Sequence, residues 1–387
     1  MTSPAKHLLA GIQNMAPAIV ARAAEIEAGR RIPLDLVETL RSIGVFRMFV
    51  PQSHGGLELS LAEGFEVIAS LSRIEGSVGW IAMITSGAEI FAPLLPRQTY
   101  DEVYRDGPDV IFAGSNQPAG RAEATAGGWR VSGRWPFASG CQHADWIGGF
   151  CVVTKDGSPI PKPTTGAPLL RAFLLPAHHW QVEDTWHVAG LQGTGSHHVV
   201  LNDTIVPEAN FFDLDGVPCV PGPLYHAPFQ IFPLLHGPFG VGVAEGAVDD
   251  IIALAATGRQ QQSAAAPLRE SETFQYELGR AQADLRAAQA SLDIQIANYW
   301  RLALAGGLKN EALFTQVRQG AVWLSEAAIR IAAACFALGG GSAVYETSPL
   351  QRRLRDLYAA GQHAAVQRRH YVDAGKLLLS PVGGLSR

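Results

Sequence analysis

The sequence predicts an α+β multidomain protein: an N-terminal helical domain over residues 1–108, a middle antiparallel β-barrel over 109–220 and a C-terminal four-helix bundle over 221–387. Three observations predict it. The 387 residues exceed the size at which a single hydrophobic core stops growing. Texture changes twice along the chain, from helical periodicity to short β-branched runs and back again. The 41 Gly and 24 Pro are spread rather than clustered, which argues against a fibrous repeat or long disorder.

The first helices are signalled by their ends. Pro33 opens Leu34–Ile43, where Leu36, Val37 and Leu40 share a face, and Gly44 stops it. Ser60 with Glu63 makes a capping-box pattern ahead of Leu61–Leu71. The run Ser77–Leu95 carries Glu89 as its sole charge; Gly79, Gly87, Pro93 and its hydroxyls predict a helix buried in protein rather than a membrane span. Strands are expected at Val110–Ala113, Trp129–Gly133, Ile147–Val153, Arg171–Leu175 and His198–Val206, with turns at Gly127-Gly128 and Asp156-Gly157. Helical stripes resume at Phe239–Thr257, then at Phe274, Leu278, Ala281, Leu285, Ala288 and Leu292 in 4-3 steps. They continue from Leu313 to Leu338, ended by Gly339-Gly340-Gly341, and close with Pro349–Leu379.

Composition narrows the function classes. A net charge of −5 disfavours nucleic acid as the main partner. The N-terminus lacks a signal-peptide apolar region, so a cytoplasmic protein is expected. Cys141, Cys151, Cys219 and Cys335 have no CxxC spacing and read as buried thiols, and no metal site is expected. His178-His179 and His197-His198 are neighbours, which on a strand face opposite ways and chelate poorly. No P-loop, HExxH or GxSxG motif occurs. Gly240-Val-Gly242 follows no strand, so it reads as close helix packing rather than a dinucleotide fingerprint.

Two segments stand out. From Trp129 to Trp146 a strand–turn–strand sets aromatics beside Ser139, Gly140 and His143, a texture that suits either a planar ligand edge or a barrel corner packed by tryptophans. Leu191-Gln-Gly-Thr-Gly-Ser196 is a second polar, Gly-rich turn.

These two segments, with Gly76-Ser-Val-Gly-Trp80 and Leu350-Gln-Arg-Arg-Leu-Arg-Asp356 followed by His363, resemble the acyl-CoA dehydrogenase superfamily in order and spacing. The resemblance covers nearly the whole chain. It is strongest to the two-component, reduced-flavin-dependent monooxygenases of that fold, such as the p-hydroxyphenylacetate hydroxylases. It implies reduced flavin (FMNH2 or FADH2) supplied by a separate NAD(P)H:flavin reductase, O2, a C4a-hydroperoxyflavin, a small phenolic or indolic substrate and a homotetramer. A dehydrogenase of the superfamily needs a carboxylate base soon after the Arg-Asp pair. After Arg355-Asp356 this chain has no acid until Asp373. The alternatives are an acyl-CoA dehydrogenase-like oxidoreductase with its base at Glu89 or Glu346, and a catalytically silent oligomeric binding protein.

The same resemblance assigns roles. It puts Ser139 beside flavin N5 and His363 near the peroxide or the substrate hydroxyl, as an imidazole titrating near neutrality. It puts Trp135, Phe137, Gly140, Thr194 and Ser196 around the flavin, Arg259 at a basic flavin contact and Gly340 near a neighbouring subunit's flavin. Trp80 becomes an aromatic wall of the substrate pocket. Phenol hydroxylases of this branch can carry a second histidine about two turns after that tryptophan. Ile81–Ile90 has none, leaving Ser86 and Glu89 as polar substrate candidates. An indole or another ring needing no deprotonation is therefore favoured.

Overall fold

The computed structural model describes residues 3–262 and 264–380. Six helices come first: α1 (Pro4–Ala21), α2 (Ala23–Gly29), α3 (Leu34–Ile43), α4 (Leu61–Ile74), α5 (Gly76–Phe91) and α6 (Arg97–Val103). Strands follow as β1 (Phe112–Thr125), β2 (Gly128–Ala138), β3 (Trp146–Lys155), β4 (Ser158–Pro159), β5 (Leu170–Pro176), β6 (Gln181–Glu183), β7 (His197–Val206) and β8 (Phe211–Phe212). The chain returns to helix with α7 (Pro228–Ala256), α8 (Glu272–Leu304), α9 (Glu311–Gly339), α10 (Pro349–Ala360) and α11 (Arg369–Leu379).

Local chemistry sets several of these boundaries. Glu63 accepts the Ser60 N–H at 3.0 Å while the Ser60 hydroxyl accepts the Glu63 N–H, so the capping box starts α4. Glu75 caps α5 by accepting the Val78 N–H at 2.8 Å. The α5 helix is apolar enough to span a membrane, yet 83% of the window Gly76–Leu94 is buried, so it is a core helix.

The strands form one sheet in the order β6-β7-β2-β1-β3-β5-β8, with β4 paired to the last residues of β3. Two features depart from the antiparallel barrel expected. β1 and β3 pair in parallel, because β2 occupies the other edge of β1, and the end strands β6 and β8 do not pair with each other. The sheet has its own core, in which Trp135 is fully buried against Phe173 and Trp180. A second core joins the N-terminal helices to the bundle. Helix α5 touches both β1 and α7 and so bridges sheet and bundle.

Two helical expectations change. The first bundle helix begins at Pro228, eleven residues before the apolar stripe at Phe239, because Pro228 sits in the first turn and Pro233 and Pro238 are carried inside a long buried helix. Pro349–Leu379 is two helices rather than one. It breaks after Gly361, where His363 caps a short 3-10 turn over Ala364–Val366.

Candidate active site

Between sheet and bundle lies a cavity of about 1090 Å³. Its walls come from α5, the starts of β1 and β3, the end of β2, the turn before β7, α7, α9 and the α10–α11 connection. From α5 it takes Trp80, Ile84, Ala88 and Phe91, spaced 4-4-3 so that one helical stripe faces it. Among the described residues no Asp or Glu lines it; its charged lining residues are Arg318, Arg355 and Arg369.

The polar corner is made by two turns. At the end of β2 the pairing with β7 shifts register between Trp135 and Ala138, and Phe137 takes φ +64° there. A bulge of this kind re-aims side chains. Phe137 ends half-exposed over the cavity and Ser139 lies buried at its edge. The second turn, Gln192–Thr194, is bracketed by Leu191 at φ +54° and Gly195 at φ +51°. The Gly140 N–H donates to the Thr194 carbonyl at 2.8 Å, joining the two turns. The second turn is pinned from behind: a Cβ at Gly190 would lie 2.1 Å from the Arg355 carbonyl, and the buried Asp356 carboxyl accepts the Leu191 N–H at 2.6 Å. Burial, then the nearby Glu75, raises the Asp356 pKa above the ordinary carboxylate range.

Five hydrogen bonds run through this corner. The Trp80 indole N–H donates to Ser139 Oγ at 3.0 Å; Ser139 and Ser196 hydroxyls meet at 2.7 Å; Ser196 and Thr194 hydroxyls meet at 2.7 Å. Thr194 Oγ1 donates to the Leu191 carbonyl at 2.8 Å, which also receives the Trp186 indole N–H at 2.9 Å.

The apolar corner is aromatic. Trp80 meets His236, Phe239 and His363 edge-on at centroid distances of 5.5, 5.1 and 6.0 Å, and the two histidine rings lie 4.5 Å apart. His363 Nδ1 accepts the Ala365 N–H at 3.1 Å, so the neutral ring carries its proton on Nε2. Burial pushes the His363 pKa down to about 4. That corrects the expectation of a ring titrating near neutrality: at pH 7 it is a neutral N–H donor. His236 is 3% exposed and is held uncharged by burial and then by His363, with its Nε2 unpartnered.

The structure brings Trp80, Phe137, Ser139, Ser196 and His363 to the cavity. It leaves other expected site residues elsewhere. Trp135 belongs to the sheet core, with its indole N–H on the Phe150 carbonyl at 2.8 Å, because an alternating strand turns it to the inner face. Gly140, at φ +76°, packs on Ile81 as the turn's left-handed residue rather than lining the cavity. Thr194 reaches it only through Ser196. The Ser86 hydroxyl bonds back to the Met83 carbonyl at 3.1 Å and stays out of the cavity. Glu89 lies on another side of α5, accepting the Phe49 N–H at 2.7 Å, and burial pushes its pKa up to about 8. Arg259 and Gly340 sit by Gln261 at the end of the bundle, outside this cavity. The alternative base Glu346 does not line it either.

Sequence reasoning missed His236 and Phe232. Their signal was present: once α7 is extended back to Pro228, Phe229, Phe232, His236 and Phe239 fall in 3-4-3 steps on one face.

The donor set fits a flavin. Phe137 and Trp80 supply flat apolar walls, Ser139 and Ser196 supply hydroxyls at one rim, and the volume holds a tricyclic ring with a small aromatic beside it. Comparison with known proteins agrees. The family profile described as acyl-CoA dehydrogenase, N-terminal domain, matches residues 6–96, and the C-terminal domain profile matches 234–368. An indole-3-acetate monooxygenase of Pseudomonas putida is 31% identical over 371 residues, spanning 96% of this chain and 92% of the relative. The oxygenase component of an FADH2-dependent resorcinol hydroxylase from a Rhizobium species is 31% identical over 384 residues, 94% of this chain and 92% of its own. The structure of XiaF from Streptomyces in complex with FADH2 and glycerol superposes with a TM-score of 0.88 at 26% identity, covering 98% of this chain and 96% of that one.

Proposed function

Since this chain belongs to the acyl-CoA dehydrogenase superfamily and, within it, to the flavin-dependent aromatic monooxygenases, we propose that its substrate is an electron-rich ring of the indole kind that enters without being deprotonated. One observation carries the reading: no carboxylate among the described residues lines the cavity, and the two histidines that do line it have their lone-pair nitrogens occupied. His363 Nδ1 is taken by the Ala365 N–H and His370 Nδ1 by the Arg318 guanidinium, while His370 Nε2–H donates to the Ala364 carbonyl. A phenol would find no base here, and the thioester oxidation of the dehydrogenases would lack its proton acceptor. The similarity to an indole-3-acetate monooxygenase supports the same ring class.

Bound in this cavity, reduced flavin supplies the two electrons that activate O2, and a separate reductase supplies the flavin. The chain's residues do the rest. Ser139 and Ser196 hold the ring's polar edge. Trp80, Phe229 and Phe232 keep water from the reacting face. His363 offers Nε2–H as a fixed donor to oxygen, and its low pKa keeps it in that role across the neutral range. Of the lining arginines, Arg355 is paired with Glu27 and Arg318 with Asp373, so Arg369, which has no carboxylate partner among the described residues, is the cation suited to an anionic tail on flavin or substrate.

The reading extends to a cytoplasmic homotetramer. The four free cysteines suit a reducing compartment, and Tyr276, Ile294 and Leu304 expose large apolar side chains along α8. Sedimentation of the purified chain tests the assembly; a monomer at micromolar concentration would contradict it. The substrate reading is tested by reductase-coupled turnover of matched indole and phenol panels. Hydroxylated indoles are expected, and turnover restricted to phenols would overturn it.

A further inference from the structure

We propose that Thr194 and Ser196 are positioning residues that lock Ser139 as a hydrogen-bond acceptor, so that the chain binds reduced flavin in preference to oxidised flavin. The inference rests on the flavin reading above and concerns how the site tells the two redox states apart.

The direction of the hydroxyl chain follows from its ends. At one end the Trp80 indole N–H can only donate, and at the other the Leu191 carbonyl can only accept. Thr194 must spend its proton on that carbonyl, so the Ser196–Thr194 contact at 2.7 Å needs the Ser196 proton. The Ser139–Ser196 contact at 2.7 Å then needs the Ser139 proton. Four contacts use four hydrogens in a single arrangement, running Trp80 to Ser139 to Ser196 to Thr194 to Leu191. Ser139, Ser196 and Thr194 are 5%, 2% and 1% exposed, so water does not compete for these links.

The receiving carbonyl is fixed as well. It also accepts the Trp186 indole N–H at 2.9 Å and the Thr194 backbone N–H at 3.2 Å, and Asp356 holds the Leu191 N–H at 2.6 Å. Ser139 therefore has no proton left for the cavity and one lone pair to offer; Ser196 is in the same state. Flavin N5 carries a hydrogen when reduced and a bare lone pair when oxidised. The reduced ring meets an acceptor with a donor, whereas the oxidised ring would set two acceptors against each other. Thr194 does not line the cavity and yet decides this polarity.

The test is anaerobic equilibrium binding of FMN and of FAD, each oxidised and dithionite-reduced, read as the ratio of the two dissociation constants. The unmodified chain should bind the reduced form more tightly. Thr194→Val keeps the shape but removes the link to Leu191, freeing Ser196 and Ser139 to donate, and should lower the ratio by about tenfold. Thr194→Ser restores the link and should restore the ratio. Ser196→Ala should lower it as Thr194→Val does, and serves where that variant fails to fold. A purely structural Thr194 would weaken both forms alike. An unchanged ratio in both variants, or equal binding of both forms by the unmodified chain, would overturn the inference. Failure of the unmodified chain to bind either form would instead overturn the flavin reading on which it rests.

Discussion

Glu89 offers a prediction that separates a structural carboxyl from a substrate contact. It is fully buried on α5, one oxygen holds the Phe49 N–H at 2.7 Å, and the other has no partner. Burial raises its pKa from 4.5 to about 8, with the Phe49 N–H opposing. The folded chain thus keeps a proton that the unfolded chain releases above pH 4.5. Glu89's contribution to stability must fall as pH rises from 4.5 to 8, by about 1.4 kcal/mol per unit, and level off above. At pH 7 the accumulated cost is about 3 kcal/mol. Glu89→Gln keeps an oxygen for Phe49 and removes the titration. Urea midpoints at pH 5 and pH 7.5 should show the variant gaining on the parent as pH rises, with kcat/KM within about twofold of the parent, a difference of ~0.4 kcal/mol. A midpoint difference that does not change with pH, or a variant that folds normally but loses turnover, would refute this reasoning.

Three further outcomes are expected. With His363 titrating at about 4, activity should show no limb near 6.5; such a limb that vanishes in His363→Asn would show a base where we place a donor. Trp80→Phe keeps most of the aromatic wall but removes the Ser139 donor, so hydroxylated product per O2 should drop while H2O2 rises. Stability should fall by about 1–3 kcal/mol, measured by denaturant titration. Gly190→Ala would force a Cβ against the Arg355 carbonyl and part the turn from α10. Its thermal midpoint should fall by several degrees, for a cost of about 1–3 kcal/mol, and flavin affinity should fall in both redox states.

Much of the fold was legible because its signals are local. Capping at Ser60, the glycine stop after Ile43 and the stripe along α8 are each decided within a few residues. The start of α7 was not, because Pro233 and Pro238 read as helix breakers and tertiary burial overrides them. The site was legible where a motif names its own position, as at Ser139, Trp80 and His363. It was illegible where a partner comes from far along the chain. Ser139 and Ser196 are 57 residues apart, and the Asp356 contact to Leu191 spans 165. Trp135 and Glu89 misled for a related reason: a motif marks a segment, but strand alternation and helical phase decide which of its side chains face the ligand.

Oxygen tracing tests the central claim most directly. With reduced flavin generated by a separate reductase under 18O2, the account predicts one labelled atom in the hydroxylated ring and none when the label is in water. Unlabelled product, or bound flavin reduced by an acyl-CoA thioester in the absence of O2, would contradict it.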